Sequence, residues 1–158
     1  MAYLRDGDHC CNLPHSTGIP LTAIGWLDPD HDYPRGKVSE GFFRQLCMHL
    51  GKPWQAPFAW AGFHHCELCQ FSTSQSHFGG YSFQSTSSSE IFVPNGREIF
   101  VSPKNIAHYI DAHGYLPPDS FIDALGACPT QGSNAYLKLL LDSGGREWLK
   151  RLEAPEPS

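Results

Sequence analysis

Apolar residues recur with helical spacing in one early stretch of the chain, residues 39–50. The apolar positions follow the i, i+3, i+4, i+7 order of a single helix face: Phe43, Leu46, Cys47 and Leu50. Ser39 can cap the first turn, and Gly51 with Pro53 can end the helix. We therefore predict a helix over this stretch whose apolar face packs on a core. His49 lies off that face, and we expect it to be solvated.

Two short apolar runs flank a turn sequence in the second half of the chain. Residues 90–93 and 97–101 are rich in β-branched and aromatic residues, and Pro94-Asn95-Gly96 lies between them. Asn and Gly at the centre of a short connection favour a hairpin. We therefore predict a pair of antiparallel strands here.

The pattern then becomes helical until near the end of the chain. Ser102-Pro103 supplies a cap and a first-turn proline, which predicts a helix from residue 103 to residue 113, ended by Gly114. Further helical stretches are predicted at 117–127, 134–141 and 146–152, the last two separated by Gly144-Gly145. Near the start, the apolar run 21–27 is compatible with a short strand or with a loop docked on the core.

Together these elements predict an α+β fold, with a small antiparallel sheet packed against three to four helices. The length of 158 residues suits one domain. We expect residues 1–153 to form that domain and residues 154–158 to form a disordered tail. Eight serines and a Gly-Gly pair within residues 72–89 indicate a flexible surface loop.

Composition narrows the class of protein. Hydrophobic residues make up 41% of the chain and charged residues 17%, with a net charge of -5. Lys and Arg are scattered singly, without the basic runs of nucleic-acid binders, so nucleic acid is not an expected partner. We see neither an apolar run long enough to cross a bilayer nor the pattern of a secretory signal. We therefore expect a cytoplasmic protein without a membrane partner, whose six cysteines are thiols or metal ligands.

The candidate chemistry of the chain is a metal site. Cys66 and Cys69 are separated by two residues, so that a tight turn can direct both sulfurs at one ion. His108 and His113 are separated by four residues, within the histidine spacing of zinc-finger helices. On an ideal helix the two histidines would point about 140° apart, so they converge only if the last turn loosens, as Gly114 permits. We predict a structural Zn²⁺ site.

His64 competes with the helical histidines for a place in this site. If the chain before the two cysteines is extended, residues 64 and 66 point to the same side. His64, Cys66 and Cys69 would then need only one helical histidine. The sequence leaves open which of the three histidines complete the site.

Motifs that would indicate catalysis are incomplete. His65-Cys66-Glu67 contains the H-x-E of zinc deaminases, but the P-C-x-x-C half is missing downstream. The H-E-x-x-H, G-x-S-x-G and phosphate-loop motifs are missing as well. We therefore predict no catalytic residues.

Four blocks of the chain, taken in order, resemble a family of uncharacterised bacterial proteins. They are Gly-Trp-Leu at 25–27, Gly-Phe-His-His-Cys-Glu-Leu-Cys at 62–69, the strand at 90–94, and His-Tyr-Ile-Asp-Ala-His-Gly-Tyr-Leu-Pro-Pro at 108–118. The resemblance covers residues 24–125 and implies a bacterial, single-domain, cytosolic protein. It also implies a shared site at His64, Cys66, Cys69, His108 and His113. The family is a domain of unknown function, so the resemblance implies no activity.

Two functional interpretations follow from these observations. The first is a zinc-stabilised protein-binding module, of adaptor or immunity type, whose acidic balance would suit a basic protein partner. The alternative is a zinc-dependent hydrolase, in which three protein ligands leave a metal-bound water beside Glu67, Asp111 or the remaining histidine as base. The two differ in whether the metal keeps an open position.

Overall fold

The computed structural model describes residues 3–57, 66–69, 75–78, 81–84 and 90–153. Within these ranges the strands are β1 (Leu21–Ala23), β2 (Gln75–Phe78), β3 (Tyr81–Gln84), β4 (Glu90–Pro94) and β5 (Ile99–Pro103). The helices are α1 (Glu40–Gly51), α2 (Ile106–His113), α3 (Asp119–Ala127), α4 (Asn134–Leu140) and α5 (Arg146–Glu153), with a π-helical turn over Leu141–Gly145 between α4 and α5. The predicted tail, residues 154–158, lies outside the described residues.

A three-stranded sheet of order β1-β5-β4 lies at the centre of the core. The predicted hairpin is confirmed, since β4 and β5 pair antiparallel from Glu90 opposite Pro103 to Pro94 opposite Ile99. Strand β1 resolves the ambiguity of the early apolar run, because it pairs in parallel with β5. The α+β class is confirmed, and the sheet is mixed rather than purely antiparallel.

The Ser-rich stretch 72–89 contains regular structure that the sequence analysis did not predict. Strands β2 and β3 pair antiparallel, from Gln75 opposite Gln84 to Phe78 opposite Tyr81. The rest of the stretch lies outside the described residues. A hairpin signal was present in the sequence, since Gly79-Gly80 lies between two aromatic residues. The prediction of a loop followed the high serine content instead of this hairpin signal.

Helix α1 matches its prediction closely. Its first turn is capped by the Ser39 hydroxyl, which accepts the amide of Phe42 at 3.1 Å. Its apolar face is buried, but His49 is buried as well, at 6% exposure, so the expectation of a solvated side chain was wrong. His49 Nδ1 lies 3.2 Å from the side-chain nitrogen of Gln131, which also donates to the Phe92 carbonyl. The Gln131 side chain thus gives the buried imidazole a hydrogen-bond partner. Because the two residues are 82 positions apart, the local sequence pattern could not show this contact.

Helix α2 begins later than predicted. Ser102 and Pro103 belong to β5, and the first helical residue is Ile106. Ser102 is fully buried, as are the strand residues before it, so burial of the strand end outweighs the local cap-and-proline signal. The predicted end of the helix is confirmed at His113, followed by Gly114 with a left-handed backbone.

The C-terminal helices complete the core. Tyr136, Leu140 and Trp148 are fully buried, and the Tyr136 hydroxyl donates to the carbonyl of Phe92 in β4 at 2.7 Å. The predicted break between α4 and α5 occurs at Gly144, whose φ is 106°. In the described part of the chain, no helix is both long and apolar enough to span a bilayer.

Candidate metal centre

The two cysteines lie in a tight turn, Cys66 to Cys69, which we call the knuckle. Cys66 is buried and Cys69 is half-buried. Burial raises the pKa of the Cys66 thiol, while the backbone amides of Leu68 and Cys69 donate to its sulfur and oppose that rise. Amides directed at a sulfur stabilise the thiolate, which is the form that binds a metal.

Both histidines come from α2, and the hydrogen bonding becomes wider at the end of this helix. An α-helix bonds each amide to the carbonyl four residues back. Here the amides of Gly114 and Tyr115 both bond to the carbonyl of Tyr109, which lies five and six residues back. The bonding therefore widens where the helix ends, directly after His113, and the ring centroids of His113 and His108 are 5.1 Å apart.

Four side chains meet at this point, close enough together to bind one metal ion. Cys66 Sγ lies 3.3 Å from His113 Nε2, and Cys69 Sγ lies 3.5 Å from His108 Nε2. All four ligand atoms lie within 4.8 Å of one another, so the group could hold a metal ion. Metal–sulfur bonds of about 2.3 Å and metal–nitrogen bonds of about 2.0–2.1 Å place tetrahedral ligand atoms roughly 3.3–3.8 Å apart. The two cross distances fall within that range.

Burial favours the neutral forms of the side chains that meet at this site. Burial lowers the pKa of His108, and the neighbouring His113 lowers it further. Burial also lowers the pKa of His113, with a contribution from the positive charge of Arg35. Neutral imidazole is the form that coordinates a metal, so the histidines need lose no proton on binding near neutral pH. The Cys66 thiol, with its raised pKa, must lose one.

Of the five predicted site residues, the structure brings together Cys66, Cys69, His108 and His113. The fifth, His64, lies outside the described residues, and its place relative to the site stays a prediction. The cysteine and histidine spacings placed all four of these residues among the five candidates, but they did not decide which histidines belong to the site.

The sequence did not point to the chain segment that borders this centre. A cleft of about 320 Å³ lies beside it, between the segment 28–35 and the residues Leu68 and His113. We call it the metal-side cleft, and it is lined by Asp28, Pro29, His31, Asp32, Tyr33, Arg35, Leu68 and His113. Within it, the Tyr33 hydroxyl donates to the His113 carbonyl at 3.0 Å. Because 80 residues separate these two, no local pattern could have shown the contact.

The family match is consistent with this geometry. A family model described as Domain of unknown function (DUF7919) matches residues 2–126. The chain belongs to that family. The DUF7919 match confirms the expected membership of a family of unknown function, and it includes all four converging side chains while leaving α4 and α5 outside. No curated protein and no solved structure matches the chain.

Proposed function

We propose that the protein is a zinc-stabilised protein-binding module of a bacterial cytoplasm, in which Cys66, Cys69, His108 and His113 are the metal ligands. The observation that carries this proposal is the convergence of four protein ligand atoms. Four such ligands complete a tetrahedron, which is the arrangement of structural zinc sites. A catalytic zinc keeps one position for water or substrate, and this set leaves none.

The chemistry of the ligand set supports zinc as the metal. Two sulfurs and two imidazole nitrogens in tetrahedral array suit Zn²⁺, whereas Mg²⁺ and Ca²⁺ prefer oxygen ligands. Zn²⁺ also has no redox chemistry, which suits a site used for stability.

The position of the site in the chain supports a structural role. Bonds to one ion would join the knuckle to α2 across 39 to 47 residues of sequence. Helix α2 is itself fixed in the core by its buried residues Ile106 to Ile110. A metal at this point would therefore attach the knuckle to the core, and its binding free energy would contribute to folding.

A protein partner is the class of ligand that we propose for the module. The acidic net charge would favour a basic protein by complementary electrostatics. The metal-side cleft, which opens beside the knuckle and carries Asp28 and Asp32, is the surface at which we expect contact. Neither nucleic acid nor a membrane is part of the proposal.

Coordination chemistry provides the test. We expect one zinc per purified chain, with an X-ray absorption spectrum that fits two sulfur and two nitrogen ligands. Cys69→Ala should lose the metal and melt at a lower temperature, because structural zinc contributes directly to folding. The matched control is Cys11→Ser, an exposed thiol outside the group of four ligands, which should keep both metal and melting temperature.

Two outcomes would contradict the proposal in different ways. A spectrum with a light oxygen ligand replacing one protein ligand would favour the hydrolase alternative, with Glu67 or Asp111 as candidate base. A Cys69→Ala variant that melts like the wild type, with the wild type unaffected by chelator, would show that the site is not structural.

A further inference from the structure

One extended segment, residues 33–36, runs antiparallel to residues 114–116, which directly follow helix α2. We call it the strap. The Gly36 amide donates to the Gly114 carbonyl at 3.0 Å, and the Leu116 amide donates to the Pro34 carbonyl at 2.9 Å. Together with the Tyr33–His113 bond, these contacts fix the backbone of α2 at the point where it carries a ligand.

The strap supplies what an opened helix end lacks. The last carbonyls of a helix have no partner within it and need one from elsewhere. The His113 carbonyl receives the Tyr33 hydroxyl, and the Gly114 carbonyl receives the Gly36 amide. Because these partners lie outside the helix, they fix its end from the strap side, at the residue whose ring faces His108 across 5.1 Å.

Tyr33 is itself held in place, so that its hydroxyl is presented in a defined position. Its ring packs edge-on against the buried ring of Tyr115, with centroids 6.3 Å apart. The guanidinium of Arg35 lies 4.5 Å above the Tyr33 ring, a cation–π distance. Gly36 lies so close to Leu116 that an added Cβ would come within 2.9 Å of a Leu116 methyl, which shows how tightly the strap packs.

We infer that Tyr33 is a positioning residue for the metal centre, acting through the backbone of His113. The inference rests on the proposed metal site and goes beyond it, because it assigns control of the site's geometry to a residue that touches no metal. Its hydroxyl fixes the carbonyl of a ligand residue, in the way that outer partners orient the ligands of known metal sites.

The test compares Tyr33→Phe with Tyr3→Phe. The first substitution removes the hydroxyl and keeps the ring, while the second alters a tyrosine that stacks on His31 instead. Zinc affinity is measured by competition with a chromophoric chelator, and site geometry by the absorption spectrum of the Co²⁺-substituted protein. We expect Tyr33→Phe to weaken zinc binding about tenfold, the lower end of the range for outer partners of metal ligands. Its cobalt spectrum should shift, and Tyr3→Phe should match the wild type in both.

We expect only a modest loss of zinc affinity because His113 lines the metal-side cleft, so that water can replace the hydroxyl as the donor to its carbonyl. A Tyr33→Phe protein with wild-type affinity and a wild-type cobalt spectrum would overturn the inference alone. A wild type that binds no metal would overturn the proposed function and this inference with it. Weakened binding with an unchanged cobalt spectrum and an equal loss of stability in the metal-free protein would mark a general structural role, which also overturns it.

A second variant keeps the inference testable if Tyr33→Phe does not fold. Tyr33→Met lacks the hydroxyl and keeps a long apolar side chain, and we expect the same affinity loss and spectral shift from it. If neither variant folds even when refolded with zinc, the contact is a requirement of the fold as a whole, and the positioning role is overturned.

Discussion

At the scale of single residues, Glu90 and Lys104 are charged side chains that the fold buries, at 3% and 7% exposure. Glu90 lies opposite Pro103 in the sheet, and Lys104 follows Pro103 directly. Burial raises the pKa of Glu90 to about 7, and the positive charge of Lys104 limits that rise. Burial also lowers the pKa of Lys104, opposed by the charge of Glu90. Burial therefore works against the charged form of both side chains.

A pH-dependent stability follows from Glu90. In the unfolded chain its carboxyl ionises around pH 4.5, and in the folded chain only around 7, so the folded state holds the proton more tightly. The contribution of Glu90 to stability is therefore largest below pH 4.5 and is lost as the pH rises through 7. We expect the free energy of unfolding of the wild type, minus that of Glu90→Gln, to fall by roughly 3 kcal/mol between pH 4.5 and pH 8.

Denaturant unfolding across that pH range measures the difference directly. Taking the difference between wild type and variant removes the contributions of the histidines, which are common to both. Glu153→Gln, at an exposed carboxylate, is the control and should show no such trend. A difference for Glu90→Gln that stays constant with pH would mean that this carboxyl ionises over the same pH range in the folded and the unfolded chain, which would contradict the raised pKa.

At the scale of elements, the sequence correctly predicted the features that depend on residues close together in the chain. The cap and apolar face of α1, the turn between β4 and β5, and the glycine after α2 all depend on neighbours within a few residues. The cysteine pair and the histidine pair were recognisable from their local spacing, but their meeting spans 39 to 47 residues, and the sequence left the choice among His64, His108 and His113 open. Two other features depend on contacts between residues distant in the sequence. The sequence left open whether residues 21–27 form a strand, and it placed the start of α2 too early.

The break between α4 and α5 is an element-scale feature that depends on a close approach. Gly144 has a left-handed φ of 106°, and an added Cβ there would lie 2.5 Å from the Pro20 ring. We expect Gly144→Ala to destabilise the protein by about 1–2 kcal/mol for the backbone and by about 1–3 kcal/mol for the overlap. Thermal or denaturant unfolding measures the sum.

Gly132→Ala is the matched control for that substitution. Gly132 has a similarly left-handed φ of 78°, but an added Cβ would meet nothing within 4 Å. It should therefore lose stability through the backbone alone. Equal losses at the two glycines would show that Pro20 moves aside and that the close approach adds no further cost.

At the scale of the whole molecule, the boundary of the family match and the boundary of the core differ. The match ends at residue 126, but α4 and α5 contact segments well inside it. The Trp148 ring nitrogen donates to the Pro14 carbonyl at 2.9 Å, and Arg151 donates to the Thr17 carbonyl at 2.6 Å. These bonds fix the irregular N-terminal segment on α5. The part of the chain that the family model covers is thus shorter than the part that packs together.

Truncation tests whether residues 1–153 act as one domain, as the sequence predicts. Removing residues 134–158 deletes Tyr136, Leu140 and Trp148, all fully buried. Each large apolar side chain contributes about 1.5–3 kcal/mol on burial, so the loss is comparable with the total stability of a domain, about 5–15 kcal/mol. We expect the 1–133 chain to lose cooperative unfolding and to bind a hydrophobic dye, even with zinc present. A 1–153 chain is the control and should melt like the full chain. Cooperative melting of the 1–133 chain near the wild-type temperature would show instead that the C-terminal helices are an accessory to a core that folds without them.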